Sequence, residues 1–512
     1  MDKTSSSADV EANVTADGDK NSSVMIGRDP AVPGEVVSAS DRTIFGQINL
    51  YMAKYQVEAR GIERVSEEDR IDTAVSNAAT VWLSSNMTVS TFALGGLATP
   101  VFGLGFVEAV LTIIFVNTLG VTAVGFYSTL GPKFGLRQMV LGRYWFGYHP
   151  VKIFAILNSI AAICWSAVNS IVGAQLFYAV SSDIPGWAGI IIVASGTGII
   201  TLFGYKSVHR YQKWAWIPVC IIFLIVTGEF ARSGNFRNVE MRTGRSAAAS
   251  VLSFAAAVFG SSTGWSTYAA DYSVYMPPTT SRKKIFAWTF AGLIFPLFSV
   301  QILGAAVGTA TTGSEAFADA YGDAGIGGLL GAVLFPRLGR FAQVCIVVLA
   351  LGVIANNCPN QYSISLNLQI LSAKTQLVPR FLWTTISVIV FAGLAIGGYS
   401  QFESFLRNFM LVMGYWVSIY ESISLMEHLI FLKGVNGYDI ENWQNPRTLP
   451  LGIAACVGFL FGVLGAVLGM AQAWFRGPIG RLVGDIGFEL AFAFGAIAYI
   501  PSRMLEKRIF QR

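Results

Sequence analysis

The chain has 512 residues, 53% of them hydrophobic and 13% charged, with a formal net charge of +5 and a mean hydropathy of +0.55. A soluble domain carries about a quarter charged residues, so this composition excludes an ordinary soluble domain and places most of the mass in a membrane. The basic residues are dispersed between apolar runs, which argues against nucleic acid as a partner, and Cys164, Cys220, Cys345, Cys358 and Cys456 lack metal-ligand spacing, so neither a metal nor a cofactor is expected.

In chain order, residues 1–75 include the polar, acidic stretch SSSADVEANVTADGDKNSSV and read as a disordered cytosolic tail. No apolar core of about 7 to 15 residues follows Met1, so the first span is expected to direct insertion itself. Residues 76–500 are expected to form the transmembrane domain and 501–512 a short cytosolic tail. Apolar runs long enough to cross a bilayer of roughly 30 Å predict twelve helices, at about 80–102, 105–130, 152–178, 184–204, 210–230, 248–274, 284–310, 341–361, 380–398, 405–431, 449–472 and 480–500.

With the tail inside, the connections after even-numbered spans hold Lys133, Arg137, Lys206, Lys213, Arg282, Lys283, Lys284, Lys374 and Lys433, which favours both termini in the cytosol. Arg232, Arg237, Arg242, Arg245, Arg337, Arg340 and Arg476 run against that pattern.

Lipid supplies no hydrogen bonds, so polar runs within a span must face protein or a water-filled cavity. Span 1 carries WLSSNMTVSTF from Trp82 to Phe92, and span 6 carries GSSTGWSTYAADYS from Gly260 to Ser273. Interrupted helices at positions 1 and 6 are what two inverted five-helix repeats would give, with the substrate near the bilayer midplane. Small polar residues also serve ordinary helix contacts.

In span 3, Trp165 and Asn169 are four residues apart and share a helical face. Trp165 can offer a flat surface to a ring while Asn169 reads its edge; packing and an interhelical bond are the plainer alternatives. Span 6 adds Trp265. Two indoles from different helices can sandwich a planar heterocycle, with stacking worth about 1–3 kcal/mol per base. The predicted span 8 ends in Ala355-Asn356-Asn357-Cys358-Pro359-Asn360-Gln361, with Asn356 and Asn360 on one face and Pro359 disrupting the helix. A carboxamide sets a donor beside an acceptor, the complement of a nucleobase edge, although capping or interhelical bonding also fits these amides.

The broken WLSSNMTVSTFALG, the Trp-x3-Asn of span 3, GSSTGWSTYAADYSVYMP and ANNCPNQYS together resemble the fungal purine/cytosine permeases of the nucleobase cation symporter family, over essentially all of residues 45–500. The resemblance implies an all-α membrane protein with a leucine-transporter-type fold: twelve transmembrane helices, two inverted five-helix repeats plus two further helices, working by alternating access. It implies a plasma-membrane symporter rather than an enzyme, with adenine, guanine, hypoxanthine and cytosine as substrates and the proton as coupling ion. It matches Trp165, Asn169, Trp265, Asn356, Asn357, Pro359 and Asn360 to the substrate site. In span 1, Ser90 is the side chain expected to reach the base, with Asn86 and Thr88 in the same unwound stretch.

The bacterial sodium-coupled relatives use span 8 hydroxyls in a sodium shell. The run from Ala342 to Ala355 has no Ser or Thr, which favours proton coupling. Glu108, Asp271, Glu421 and Glu427 are intramembrane carboxylates and therefore functional candidates; Asp271 could equally tie span 6 to a loop, and Glu427 could pair near an interface. A carrier of the same fold for uracil, allantoin, a hydantoin or a thiamine-like cation is the alternative reading.

Overall fold

A computed structural model describes residues 61–241 and 243–512, whose regular elements are helices. Twelve spans are found among these residues. They are Ser76–Asn86 with Val89–Gly96 (span 1), Phe106–Ser128 (span 2), Val151–Val180 (span 3), Gly186–Leu202 (span 4), Tyr205–Ser233 (span 5) and Arg245–Thr263 with Gly264–Tyr272 (span 6). The second half continues with Arg282–Thr309 (span 7), Arg340–Gly352 with Ile354–Ile370 (span 8), Arg380–Gly398 (span 9), Phe402–Met426 (span 10), Ile453–Gly469 (span 11) and Gly487–Phe510 (span 12).

Length explains the segmentation. The apolar stretch Arg380–Phe431 has 52 residues, about 78 Å of helix, far more than a bilayer needs. It turns back at Tyr399–Gln401 to make two spans. Span 1 is divided into halves of 11 and 8 residues. Phe115, Ile199, Leu224 and Ile389 project from the outside of the bundle, as lipid-facing side chains must.

Glycines set how closely spans 1 and 7 approach. A Cβ at Gly95 would stand 1.9 Å from the Gln301 carbonyl oxygen, and one at Gly304 would stand 2.1 Å from that of Phe92. Without a hydrophobic drive between helices in lipid, close packing of this kind is a principal source of association. A bond of 2.8 Å from Asn117 of span 2 to Gln301 closes the same corner.

The structure moves several predicted boundaries. Span 8 runs to Ile370, so the asparagine cluster lies within the helix and not at its end. Its chain stays helical through Pro359, correcting the expected disruption. The predicted tail over 1–75 lies outside the described residues as far as position 60. Within 61–75, Ile62 and Val65 are buried, the Val65 N–H donates to the Gly135 carbonyl at 2.8 Å, and Arg70 donates to the Pro132 carbonyl at 3.0 Å. The predicted C-terminal tail is helical to Phe510, because Arg503 is buried against Glu427 at 3.0 Å and Glu506 at 2.8 Å. Glu506 in turn accepts from the Ala454 N–H at 2.7 Å, fixing the start of span 11. An unexpected helix, Glu315–Leu338, joins spans 7 and 8 and packs on span 3.

The described lysines all fall at the end of the bundle that carries Ile62 and Arg512. At the opposite, far end the described cations are arginines: Arg232, Arg237, Arg245, Arg337, Arg340, Arg407, Arg476 and Arg481.

Replacing Gly304 with Val should force spans 1 and 7 apart. We expect the detergent-solubilised protein to lose several degrees of melting temperature, consistent with about 1–3 kcal/mol for overpacking. An unchanged melting temperature, read by fluorescence size-exclusion after heating, would contradict the close contact.

Candidate functional site

The break in span 1 is held by side chains that answer its loose backbone groups. Asn86 donates to the Trp82 carbonyl at 2.9 Å, and Met87 (φ −78°, ψ 65°) and Thr88 (φ −141°, ψ 161°) leave the helical region before the second half begins. The Ser85 carbonyl accepts from Asn356 Nδ2 of span 8 at 2.5 Å. Span 6 changes to 3₁₀ winding at Gly264, with Tyr268 at φ −147° and ψ 18°. There Asn158 of span 3 accepts the Thr267 hydroxyl at 2.6 Å and donates to the Thr267 carbonyl at 3.4 Å.

Between the two breaks lies a chain of amides. Asn169 Nδ2 of span 3 donates at 2.8 Å to Oδ1 of both Asn356 and Asn357. Asn360 Nδ2 donates to the Asn356 carbonyl at 3.2 Å, and the Tyr268 hydroxyl donates to Asn360 Oδ1 at 2.8 Å. Spans 1, 3, 6 and 8 are therefore joined through Ser85, Asn169, Tyr268 and the span 8 asparagines.

The indoles frame this chain. Trp265 Nε1 donates to Asn86 Oδ1 at 3.2 Å, and its ring meets Trp82 and Tyr268 edge-on at 5.4 and 5.5 Å. Trp165 meets Phe409 of span 10 edge-on at 5.6 Å, and its Nε1 lies 3.7 Å from where a Cβ would stand at Gly264. Both indoles thus approach the span 6 break. Ser84 Oγ, Thr88 Oγ1, Ser90 Oγ and Asn169 Oδ1 are buried without a hydrogen-bond partner. Each such atom costs about 1–3 kcal/mol unless something pairs with it. The exposures of Trp165 (9%), Trp265 (4%), Asn169 (0%) and Asn360 (0%) mark a closed arrangement. Two cavities, of ≈ 570 and ≈ 730 Å³, open at the far end and are not lined by any of these four residues.

The predicted residues divide accordingly. Trp165, Asn169, Trp265, Asn356 and Asn360 come together, with Thr88 and Ser90 supplying unpaired hydroxyls. Asn86 is committed to Trp82 and Trp265. Asn357 joins the cluster through its Oδ1, which accepts from Asn169, while its Nδ2 turns towards Thr197 of span 4, at 3.4 Å, and Ser170, at 3.5 Å. Pro359 has no N–H for the Ala355 carbonyl four residues back, and Gln212 of span 5 takes that carbonyl at 2.6 Å. Its own carbonyl accepts from the Tyr272 hydroxyl at 2.8 Å.

Sequence reasoning missed Tyr268, Gln212 and Asn158. Tyr268 stands in the span 6 motif three residues after Trp265, so its position was visible but not its bond to Asn360. Gln212 follows Lys206 and Arg210 near the start of the predicted span 5, among charged residues that marked a connection; the helix begins at Tyr205, and the bond of Gln212 to the Ala355 carbonyl is a long-range contact.

The carboxylates also find their places. Asp271 Oδ1 accepts from the Gln138 N–H at 2.7 Å and the Asp271 carbonyl accepts from Arg137 at 3.0 Å, tying span 6 to the short helix Gln138–Phe146. Glu427 pairs with Arg503.

Comparison with known proteins gives a consistent picture. Residues 64–477 match the family model described as a permease for cytosine/purines, uracil, thiamine and allantoin. The chain is 50% identical to the purine-cytosine permease fcyB of Emericella nidulans, over 94% of this chain and 95% of that one. It is 41% identical to the purine-cytosine permease FCY2 of Saccharomyces cerevisiae, covering 93% and 91%. Among solved structures it superposes on Mhp1, a nucleobase-cation-symport-1 family transporter in a closed conformation with bromovinylhydantoin bound, with a TM-score of 0.67 and 13% identity over 89% of this chain and 97% of that one. That likeness shows the fold, all-α and of the leucine-transporter type.

If Tyr268 holds Asn360, the pair should be coupled. In thermal melts of solubilised protein, Tyr268→Phe and Asn360→Ala should each destabilise by about 1–3 kcal/mol, and the double variant should be no worse than the more damaging single one. Strictly additive losses would rule the bond out.

Proposed function

The chain belongs to the family of permeases for cytosine/purines, uracil, thiamine and allantoin, and from that premise we propose that it is a secondary transporter carrying purine bases and cytosine across the plasma membrane together with a proton, by alternating access. One observation carries the reading: a closed site in which indoles and carboxamides from four spans meet at two helix breaks. An indole face binds any base through its π-surface, and carboxamides select by edge. Trp165 and Trp265 supply the faces, Asn169 and Asn360 the edge contacts, and Thr88 or Ser90 a hydroxyl from span 1. The relatives named purine-cytosine permeases support this choice of substrate.

Proton coupling is supported by the chemistry of the wall between spans 1 and 8. Sodium needs a set of oxygen ligands, and span 8 offers no hydroxyl between Ala342 and Ala355. The Ala355 carbonyl is already engaged by Gln212. The concentration of lysine at the end carrying Ile62 and Arg512 supports placing that end in the cytosol.

The test is uptake of labelled cytosine in cells lacking other base carriers. Uptake should collapse with a protonophore and rise as external pH falls, because lower pH enlarges the inward proton gradient. Replacing sodium with choline should leave it unchanged. A strict sodium requirement contradicts the coupling ion, and stronger competition by uracil or allantoin than by adenine would redirect the substrate.

A further inference from the structure

The intramembrane carboxylates differ in what holds them. Glu108 accepts from the Gly105 N–H at 2.6 Å at the start of its own span. Asp271 accepts from the Gln138 N–H, and Glu427 faces Arg503. Hydroxyls of Ser363 and Tyr499 also donate to Asp271 and Glu427, but backbone N–H and guanidinium groups are donors only, so each of these three sites contains a partner that requires a carboxylate oxygen to accept. Glu421, buried in span 10, is held differently. The Thr263 and Ser266 hydroxyls both donate to its Oε1, Ser266 at 2.9 Å. Among the described residues no Lys, Arg or His pairs with it. A hydroxyl can turn from donor to acceptor, so this site accommodates the acid as well as the carboxylate. An ionised carboxylate with no cation in a membrane interior is costly.

Its position gives this consequence. Thr263 is the last residue of the α-helical half of span 6, and Ser266 lies one turn on; between them stand Gly264, where the winding changes, and Trp265 of the candidate site. A proton arriving on or leaving Glu421 therefore alters two hydrogen bonds that straddle the break. The ionisable groups facing it are Tyr127 of span 2, whose hydroxyl bonds to Ser424, and Tyr420 of its own span, which accepts from Gln138 Nε2 at 2.8 Å. Of the other elements packed on span 10, span 6 carries Asp271 and span 12 carries Tyr499 and Arg503, both engaged by Glu427. The short helix Gln138–Phe146 carries Arg143, over the Tyr148 and Trp443 rings; span 3 carries Lys152, also over Tyr148, and span 11 carries Cys456.

We infer that Glu421 is the site that takes up the co-transported proton, and that its protonation sets the geometry of the span 6 break through Thr263 and Ser266. This rests on the proton-coupled reading above. The proton binds a carboxylate oxygen from the outer solution and leaves to the inner one, with no bond to the base made or broken.

The experiment compares wild type and Glu421→Gln in proteoliposomes loaded for two assays: accumulation of labelled cytosine under an inward proton gradient, and cytosine-for-cytosine exchange at equal pH. Glutamine keeps the shape and cannot ionise. Expected is exchange that persists, with accumulation falling to an inside-to-outside ratio of about one, since an uncoupled carrier only equilibrates its solute. Glu421→Asp should recover part of the accumulation. Glu421→Gln that still concentrates cytosine along the wild-type pH profile would overturn the inference. Wild type indifferent to the proton gradient would instead overturn the coupled reading itself. Should Glu421→Gln fail to fold, Thr263→Val and Ser266→Ala leave the carboxylate in place. Each is expected to move the pH of half-maximal uptake upward, because a lost donor no longer favours the charged form; unmoved profiles in both would overturn the inference as well.

Discussion

A carboxamide inside a bilayer has no water to fall back on. Asn169, Asn356 and Asn360 are buried between the spans, and each can engage up to about four partners. Their mutual bonds do more than satisfy them. Asn356 secures the loose Ser85 carbonyl at the end of the first half of span 1, and Asn360 receives Tyr268 from the irregular part of span 6. The two breaks at the candidate site are thus stabilised by the side chains gathered around it. Interhelical bonds of this kind average only about 0.6 kcal/mol in membranes, so the network specifies the arrangement more than it strengthens the fold. It leaves Asn169 Oδ1 and the Ser84, Thr88 and Ser90 hydroxyls unpaired at the same breaks.

The charged groups are arranged on a second principle. Cations and carboxylates near the end carrying Ile62 and Arg512 neutralise one another, as Glu427 and Glu506 do with Arg503; Glu427, just past span 10, and the bond from the Ala454 N–H to Glu506 fasten span 12 to spans 10 and 11. Span 6 is fastened to the short helix after span 2 by hydrogen bonds instead, the Arg137 guanidinium donating to the Asp271 carbonyl and the Gln138 N–H to its carboxylate. Glu421 stands apart from that scheme, one helix away from Trp265 and with only hydroxyls to hold it. The contrast separates carboxylates that hold the scaffold from one placed to change it.

Much of this was legible in the sequence, for physical reasons. Runs of apolar residues count spans because the bilayer fixes their length, and polar runs such as WLSSNMTVSTF stand out because lipid forbids them unless paired. Trp165 and Asn169 could be set on one face by helical spacing alone. What spacing could not show was which partner each polar group would find. Asn357 carried the same signal as Asn360 but turns towards span 4, and Asn86 is consumed within span 1 and by Trp265. Pro359 was expected to disrupt span 8; the helix continues because Gln212, distant in sequence, takes the carbonyl that proline leaves free. Boundaries failed where helices continue past the apolar run, as at Ile370 and Phe510, since buried pairs such as Arg503 with Glu427 are long-range facts.

The role of the amides is most directly tested by selectivity. Aspartate has nearly the shape of asparagine but is an acceptor only when ionised, so Asn360→Asp changes what the site offers with little change in its volume. The measurement is a competition panel of adenine, guanine, hypoxanthine and cytosine against labelled cytosine in wild type and Asn360→Asp, with a fluorescent fusion reporting the level at the cell surface. A changed order of competitors, with those presenting an acceptor to that edge weakened most, is the predicted result. A variant that reaches the surface normally and keeps the wild-type order and affinities would show that Asn360 does not read the base.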